Sequence, residues 1–495
     1  MAISPARAVA FDVLLRIEQQ DAYASELLHS SQYVKLSPAD HGLATELVMG
    51  VLRWRSLLDE EISHFSAKGV AKLDLEVLTA LRLAAYQLMF LDRVPERAAV
   101  HESVELVKRG RKGSAVPFAN AVLRKLAGST SAAKAASGKG AFHRAPQRCS
   151  TRNVDSSPNV GSSTGMDSST ENLASSSSQD RSNQAPSAGH SSQSAAQLSQ
   201  ALAHPPWLVK RWVREFGPDQ AQQICSYDQH APDTTVRLSD LKAEAELRQN
   251  GIDLAPGLLL ASARRVRAGN ITGTRAFRER RVAIQDEASQ LVGLLLGTGS
   301  RILDCCAAPG GKARVIAERN PDASIVALEL HPHRARLLRK LVAAKNVDVI
   351  NSGVREFTTS VAFDRVLADV PCSGTGTLAH NPEIKWRLKR EDLPDLQVRQ
   401  LAILGSALLQ VAPGGRLVYS TCSLEREENE EVIVKALSAE TTFRALDCRA
   451  EMERLRAEGE LVWENLDSLM SGQFVRTIPG VHPCDGFFVA ILEKS

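Results

Sequence analysis

The sequence predicts a multidomain chain: an all-α bundle, then a small α+β module, then an α/β domain with a doubly wound, mostly parallel sheet. Three observations predict it. Apolar residues recur at helical spacing through residues 4–127, residues 128–200 abruptly lose them, and from Val282 onward apolar strand runs alternate with helical stretches. At 495 residues the chain exceeds what one core ordinarily serves. The expected division is 1–127, 128–200, 201–280 and 281–495.

In the first region Ala6, Val9, Ala10, Val13, Leu14 and Ile17 share one helical face, as do Leu43, Leu47, Val51, Trp54 and Leu58. Ser37 and Asp40 suit the start of that second helix, where a hydroxyl can cap a free backbone N–H. Leu75–Leu91 is an apolar helical run that stops near Pro95, and Val100–Val107 and Phe118–Leu126 complete a compact bundle. Residues 128–200 are dominated by Ser, Ala, Gly, Asn and Gln. Burial there cannot offset chain entropy, so a disordered linker carrying no site is expected. Structure is expected to resume at Pro205-Pro206-Trp207, with a helix over Trp207–Phe216 and a strand over Thr234–Leu238. Buried-strand runs follow at Arg301–Asp304, Ala323–Glu329, Phe363–Asp369 and Gly415–Ser420; the helical stretches between them imply parallel neighbours.

Composition narrows the classes. Hydrophobic residues at 43% and charged residues at 24% fit a soluble globular protein. No apolar run reaches the length of a membrane span, and Met1–Gln20 lacks a secretory or transit pattern, so a cytoplasmic protein is expected. The net charge of +3 neither demands nor excludes a nucleic acid. The spacings of the eight cysteines match neither a disulfide framework nor a zinc site, so reduced thiols and no metal are expected.

The first strand of the α/β region ends at Asp304 and runs into Cys305-Cys-Ala-Ala-Pro-Gly-Gly-Lys312 before a helix. Small residues let the backbone turn tightly and approach a ligand. Glu329 ends the second strand, where a carboxylate can accept both hydroxyls of a ribose. The loop lacks G-x-G-x-x-G and G-x-x-x-x-G-K-[ST], which disfavours a dinucleotide and a P-loop nucleotide. An adenosyl sulfonium carries no phosphate and needs no such cradle.

Two later strand ends carry the strongest signal. Asp369-Val-Pro-Cys372 closes one strand and Ser420-Thr-Cys-Ser423 the next. Adjacent strands lie roughly 5 Å apart, so both sulfurs can face one pocket. C5 of cytosine is a poor nucleophile until a thiolate adds to C6; after methylation a base must remove the C5 proton and the thiol must leave. One thiolate and a nearby base or second thiol meet that need. Asp369 can hold the N3 and amino edge of the base, and Lys312 can favour the thiolate. A lone strand-end cysteine is ordinarily an inert small hydrophobe. Two in polar turns on the ligand side favour function. Cys306 reads as structural, as do Cys149, Cys225, Cys448 and Cys484.

These motifs resemble those of a known family. Cys306-Ala-Ala-Pro-Gly-Gly-Lys312, Asp369-Val-Pro-Cys372, Ser420-Thr-Cys-Ser423 and the closing Asp485-Gly-Phe-Phe488 resemble the RNA cytosine-C5 methyltransferases of the NOL1/NOP2/Sun family. Residues 4–127 resemble the NusB-like RNA-binding domain. The resemblance covers nearly the whole chain except the linker. It implies a Rossmann-like class I methyltransferase domain, S-adenosylmethionine as methyl donor, Cys422 as nucleophile, and Cys372 as the group assisting proton removal and release. It also implies that Cys306, Ala307, Ala308, Pro309, Gly310, Gly311, Lys312, Glu329 and Asp369 contact the cofactor or the base. Ser352 stands where the family carries an Asp near the adenine, Glu329 where it carries an Asp, and Ala313 where Thr is common. The two-domain combination is similar to members acting on 16S ribosomal RNA. The implied partner is that RNA or a small-subunit precursor, bound by a monomer. Three alternatives stay open: another RNA such as tRNA or large-subunit rRNA, a DNA cytosine-C5 methyltransferase with its nucleophile in the Pro-Cys turn, and a non-catalytic RNA-binding protein.

Three basic clusters are candidates for RNA contact: Lys108-Arg-Gly-Arg-Lys112, the span His333–Lys345, and Lys385, Arg387, Lys389 and Arg390 around Trp386. The last directly follows the Cys372 loop, and Trp386 could stack on an exposed base. A target base must leave its stack to reach a thiolate, so single-stranded or loop RNA is expected.

Overall fold

The computed structural model describes residues 3–20, 22–28, 30, 36–136 and 188–495. Helices α1 (Pro5–Gln20), α2 (Ala24–Leu28), α3 (Pro38–Phe65), α4 (Leu75–Phe90), α5 (Glu96–Arg109) and α6 (Val116–Ala136) form the N-terminal bundle. Ser37 caps α3, its hydroxyl accepting from the Asp40 N–H at 3.1 Å. Helix α4 is the central one, buried on every face from Val77 to Met89. That is why its sequence shows a nearly continuous apolar run rather than a stripe.

Helix α6 continues to Ala136, and α7 spans Ala188–Ala201. Ordered helix therefore enters both ends of the stretch that composition assigns to a linker, because alanine-rich sequence propagates helix well once a packed turn exists. The rest of that stretch, residues 137–187, lies outside the described residues. Helix α8 (Pro206–Asp228) is interrupted at Gly217, whose φ of 81° is followed by Pro218. The predicted end at Phe216 falls on that break, and helix then resumes.

The small module comprises β1 (Thr234–Leu238), α9 (Leu241–Gln249), β2 (Asp253–Pro256), β3 (Ala263–Ala268), α10 (Arg275–Arg278) and β4 (Val282–Ile284). Its sheet is antiparallel, in the order β2-β3-β1-β4.

The third part holds α11 (Glu287–Leu295), β5 (Arg301–Asp304), α12 (Gly311–Arg319), β6 (Ser324–Leu328), α13 (Pro332–Val342), β7 (Val347–Ile350) and β8 (Phe363–Asp369). It continues with α14 (Ile384–Arg387), α15 (Asp392–Leu408), β9 (Val411–Thr421), α16 (Glu430–Ala439), β10 (Phe443–Leu446) and α17 (Arg449–Ala457). It closes with β11 (Met470–Ser471), β12 (Phe474–Thr477) and β13 (Phe487–Lys494). The nine-stranded sheet runs β11-β12-β13-β9-β8-β5-β6-β7, with β10 also paired to β13. Strands β9, β8, β5, β6 and β7 are parallel, and β10 to β13 add an antiparallel flank. Phe487 to Leu492 of β13 are buried without alternation, because helices cover both faces there. Among the described residues no helix is long and apolar enough to cross a membrane.

Candidate active site

Parallel pairing of β8 with β9 aligns Asp369 with Ser420, so the turns that follow emerge side by side at the carboxyl edge of the sheet. Cys372 and Cys422 leave those turns with their sulfurs 3.2 Å apart. Both are partly buried, screened from bulk water but reachable. The Cys422 carbonyl accepts from the Gly376 N–H at 2.9 Å, and the Gly376 carbonyl accepts from the Gly486 N–H at 2.8 Å. A Cβ at Gly376 would meet the Gly486 carbonyl at 2.1 Å, so this three-layer contact requires glycine there.

Lys312, in the first turn of α12, reaches across to Asp369, with Nζ 2.8 Å from Oδ2. Its Nζ also sits 5.0 Å from the Phe487 ring centroid. Ser420 donates to the other Asp369 oxygen at 2.7 Å. Burial works to lower the Lys312 pKa, but the Asp369, Cys422 and Asp304 charges outweigh it and the ammonium is held above its ordinary value. The bond shared with Cys422, and then burial, push the Cys372 thiol well up. Cys372 is thus favoured as a thiol, facing the other sulfur.

The two cysteine turns share one carboxylate. Glu428, fully buried, accepts from the Ser373 N–H at 2.8 Å, from the Ser373 hydroxyl, from the Ser423 hydroxyl at 2.5 Å and from the Gln400 amide at 2.8 Å. Asn429 beside it donates to the Ser423 carbonyl at 2.9 Å and accepts from Thr421. Sequence reasoning missed both, because Glu425-Arg-Glu-Glu-Asn429 has the charge density of a solvated turn.

Next along the edge, Asp304 ends β5. Its Oδ1 accepts from the Cys306 N–H at 3.3 Å, while its Oδ2 is buried with no partner. Burial, then the Asp369 charge, raise its pKa to about 7. The loop ties back to β6, with the Ala307 N–H donating to the Leu328 carbonyl at 2.9 Å. Gly310 has a φ of +117°, and a Cβ there would strike Leu338 and Val342 of α13. Glu329 is 5% exposed; one oxygen accepts from the His331 N–H at 2.8 Å and the other lies 3.7 Å from Arg334. Ser352, after β7, spends its hydroxyl on the neighbouring Gly353 carbonyl at 3.1 Å. The fold thus brings Cys372 against Cys422 and Lys312 against Asp369 at neighbouring strand ends, and sets residues 306–312 and Glu329 at the adjacent ones. It does not bring Ser352 into the reactive group. The Cys306 thiol is pushed up by burial and then by Asp304.

Family models match residues 4–128 (NusB family), 204–266 (a ferredoxin-like domain of RsmF/B-type methyltransferases) and 293–493 (16S rRNA methyltransferase RsmB/F). A Bacillus subtilis protein named probable ribosomal RNA small subunit methyltransferase B is 32% identical, over 99% of this chain and 98% of its own length. The chain belongs to the 16S rRNA methyltransferase RsmB/F family. A Vibrio cholerae relative named ribosomal RNA small subunit methyltransferase B is 27% identical over 99% of this chain and 97% of its own. Among solved structures, a methyltransferase homolog from Pyrococcus horikoshii covers 61% of this chain and 99% of its own, at 26% identity and a TM-score of 0.50. PH0851 aligns over 100% of both chains with a TM-score of 0.72 at 21% identity, a likeness of fold.

In this RsmB/F-family chain one basic cluster is not where the sequence suggests. Lys385 and Arg387 do not present cations to RNA. Lys385 is 1% exposed and donates to the Arg53 carbonyl at 2.9 Å and the Ala203 carbonyl at 3.2 Å. Trp386 donates to the Leu52 carbonyl at 2.6 Å, and Arg387 to the carbonyls of Ile17, at 3.0 Å, and Ala22. These side chains fasten the loop after Cys372 to the N-terminal bundle through carbonyls of α1, α3 and the adjoining turns. Only Lys389 and Arg390 of that cluster are exposed. In the N-terminal cluster Lys108 pairs with Glu105, Arg109 with Asp12 and Lys112 with Asp74.

Proposed function

We propose that this protein uses S-adenosylmethionine to methylate C5 of a cytosine in small-subunit ribosomal RNA, through a transient bond between Cys422 and C6. The observation that carries the proposal is the pair of sulfurs 3.2 Å apart beside the Lys312–Asp369 ion pair. The neighbouring strand ends suit that cofactor. Asp304 Oδ2, buried and unpartnered, suits a cationic amino group, and the Glu329 carboxylate suits ribose hydroxyls. Residues 306–312 would line that site, with Ser352 at its far side. S-adenosylmethionine, when bound, supplies an electrophilic methyl group.

The chain's own residues do the rest. Asp369 accepts from the amino group and from N3, which takes a proton from solvent on binding and returns it with the product, stabilising the form that is open to attack at C6. Lys312 balances Asp369, and the Cys422 charge helps to hold its ammonium protonated. Cys422 adds to C6, and C5 becomes enamine-like. Once Cys422 is a thioether it no longer carries the charge it shared with Cys372, and Cys372 releases its proton to solvent. The resulting thiolate is a strong base in that buried setting and takes the proton from methylated C5. The C5–H electrons re-form the ring double bond and expel Cys422 as a thiolate, which again accepts from the Cys372 thiol. One proton is released per turnover. The raised Cys372 pKa supports this division of labour over the reverse, in which Cys372 attacks.

Purified protein with radiolabelled cofactor and 16S rRNA tests it. Cys422→Ala should lower methyl incorporation by more than about 10^4-fold, as loss of a covalent nucleophile does, while bisulfite conversion locates the modified cytosine in the wild-type reaction. Turnover retained in Cys422→Ala would hand the nucleophile's role to Cys372.

A further inference from the structure

We infer that Tyr23, in the connection between α1 and α2 of the N-terminal bundle, stacks on a nucleobase of the RNA strand that carries the target cytosine. This deepens the reading above and rests on it. Tyr23 is a large aromatic left 44% exposed, on a domain that contributes none of the groups so far placed in the active site. One face of its ring is backed by Arg387, with Cζ 5.8 Å from the centroid. Arg387 is in turn locked to the same corner by its bonds to the Ile17 and Ala22 carbonyls. On the other side of Tyr23, the Ala24 N–H donates to Glu383 Oε1 at 2.9 Å. Residues 22 and 24 are thus both fixed to the loop that follows Cys372, and the ring between them is held at the pocket rather than free to swing.

Burial, then the Cys422 charge, raise the phenol, with Arg387 opposing, so the ring lies within the field of the sulfurs. A phenol raised in this way is a poor proton carrier near neutral pH, so the useful part is the ring. A guanidinium on one face leaves the other open, and a wet aromatic face beside a base-flipping site is a stacking platform. The extruded base breaks the stack of its own strand. Tyr23 offers that strand a replacement surface beside the entrance.

The test uses full-length protein in two readouts. In the first, a 16S rRNA transcript doped with 4-thiouridine is photocrosslinked and the peptides mapped. A crosslink on the peptide containing Tyr23 is expected; crosslinks elsewhere with none on that peptide overturn the proposal. In the second, Tyr23→Leu should raise the KM for 16S rRNA by about five- to hundred-fold with kcat little changed and the cofactor KM unmoved. Tyr23→Phe should restore most of the loss. An unchanged RNA KM in Tyr23→Leu, or a cofactor KM that rises in parallel, overturns it. If wild-type protein transfers no methyl group to RNA, the enzymatic reading fails and the crosslink alone decides Tyr23.

Discussion

Glu428 shows how much of the site depends on a side chain buried behind the sulfurs. Its carboxylate accepts four hydrogen bonds and couples Ser373, next to Cys372, with Ser423, next to Cys422. The distance between the sulfurs is therefore set by a third side chain. Glu428→Ala leaves buried donors unpaired, each costing about 1–3 kcal/mol, and frees the turns to separate. A misplacement of an ångström in a reacting group costs on the order of 10^2-fold in rate. We expect Glu428→Ala to lose about that much in kcat, with the KM for cofactor nearly constant and a lower melting temperature. Glu428→Gln keeps the shape and should fall between. Wild-type kcat in Glu428→Ala would show that the sulfurs need no such brace. Asp304 illustrates a different kind of miss: it was visible as a strand end, but that its second oxygen is buried without a partner is a fact of packing.

At the scale of elements, the strands that build the site were legible and the surfaces between domains were not. β5, β6, β8 and β9 are apolar because helices cover both faces of the sheet, and each ends in a polar turn, so sequence alone puts Asp304, Glu329, Asp369 and Cys422 at one edge. The antiparallel flank was harder to see, since β10, β11 and β12 are four, two and four residues long and carry little periodicity. Lys385, Trp386 and Arg387 were misread because cations on a short helix are ordinarily solvated. Here α14 lies under the N-terminal bundle, and what identifies it as a junction is the set of carbonyls on α1 and α3, far away in sequence. Lys385 also lies in the field of buried Asp228; burial pushes that carboxyl up to about 8 and lowers the Lys385 ammonium to about 7. What Lys385 secures is its hydrogen bonds to the Arg53 and Ala203 carbonyls, and losing such a buried donor costs about 1–3 kcal/mol. Lys385→Met should therefore lower the melting temperature of the full chain by about 2 °C or more. Lys389→Met, exposed nearby, should change stability by no more than about 0.5 kcal/mol. Equal small shifts would mean that the junction does not depend on the buried cation.

For the whole molecule, the N-terminal bundle and α8 each grip the α/β domain beside a cysteine turn. The segment after Cys372 carries Glu383, Lys385, Trp386 and Arg387 into the N-terminal bundle, and α8 grips the segment after Cys422 through Arg211 and Trp212, which donate to Glu425 at 2.6 and 3.2 Å. Each cysteine turn is thus held from outside the sheet by a different neighbour. A bundle joined in this way cannot move without moving the loop that carries Cys372. The chemistry itself comes down to which sulfur bonds carbon. With Cys372→Ala the proposed base is gone, so enzyme incubated with S-adenosylmethionine and 16S rRNA should accumulate a complex that survives denaturing electrophoresis. Nuclease digestion and mass spectrometry should then find a methylated cytidine remnant on the peptide containing Cys422. No adduct, or a remnant on any other residue, would contradict covalent catalysis by that cysteine.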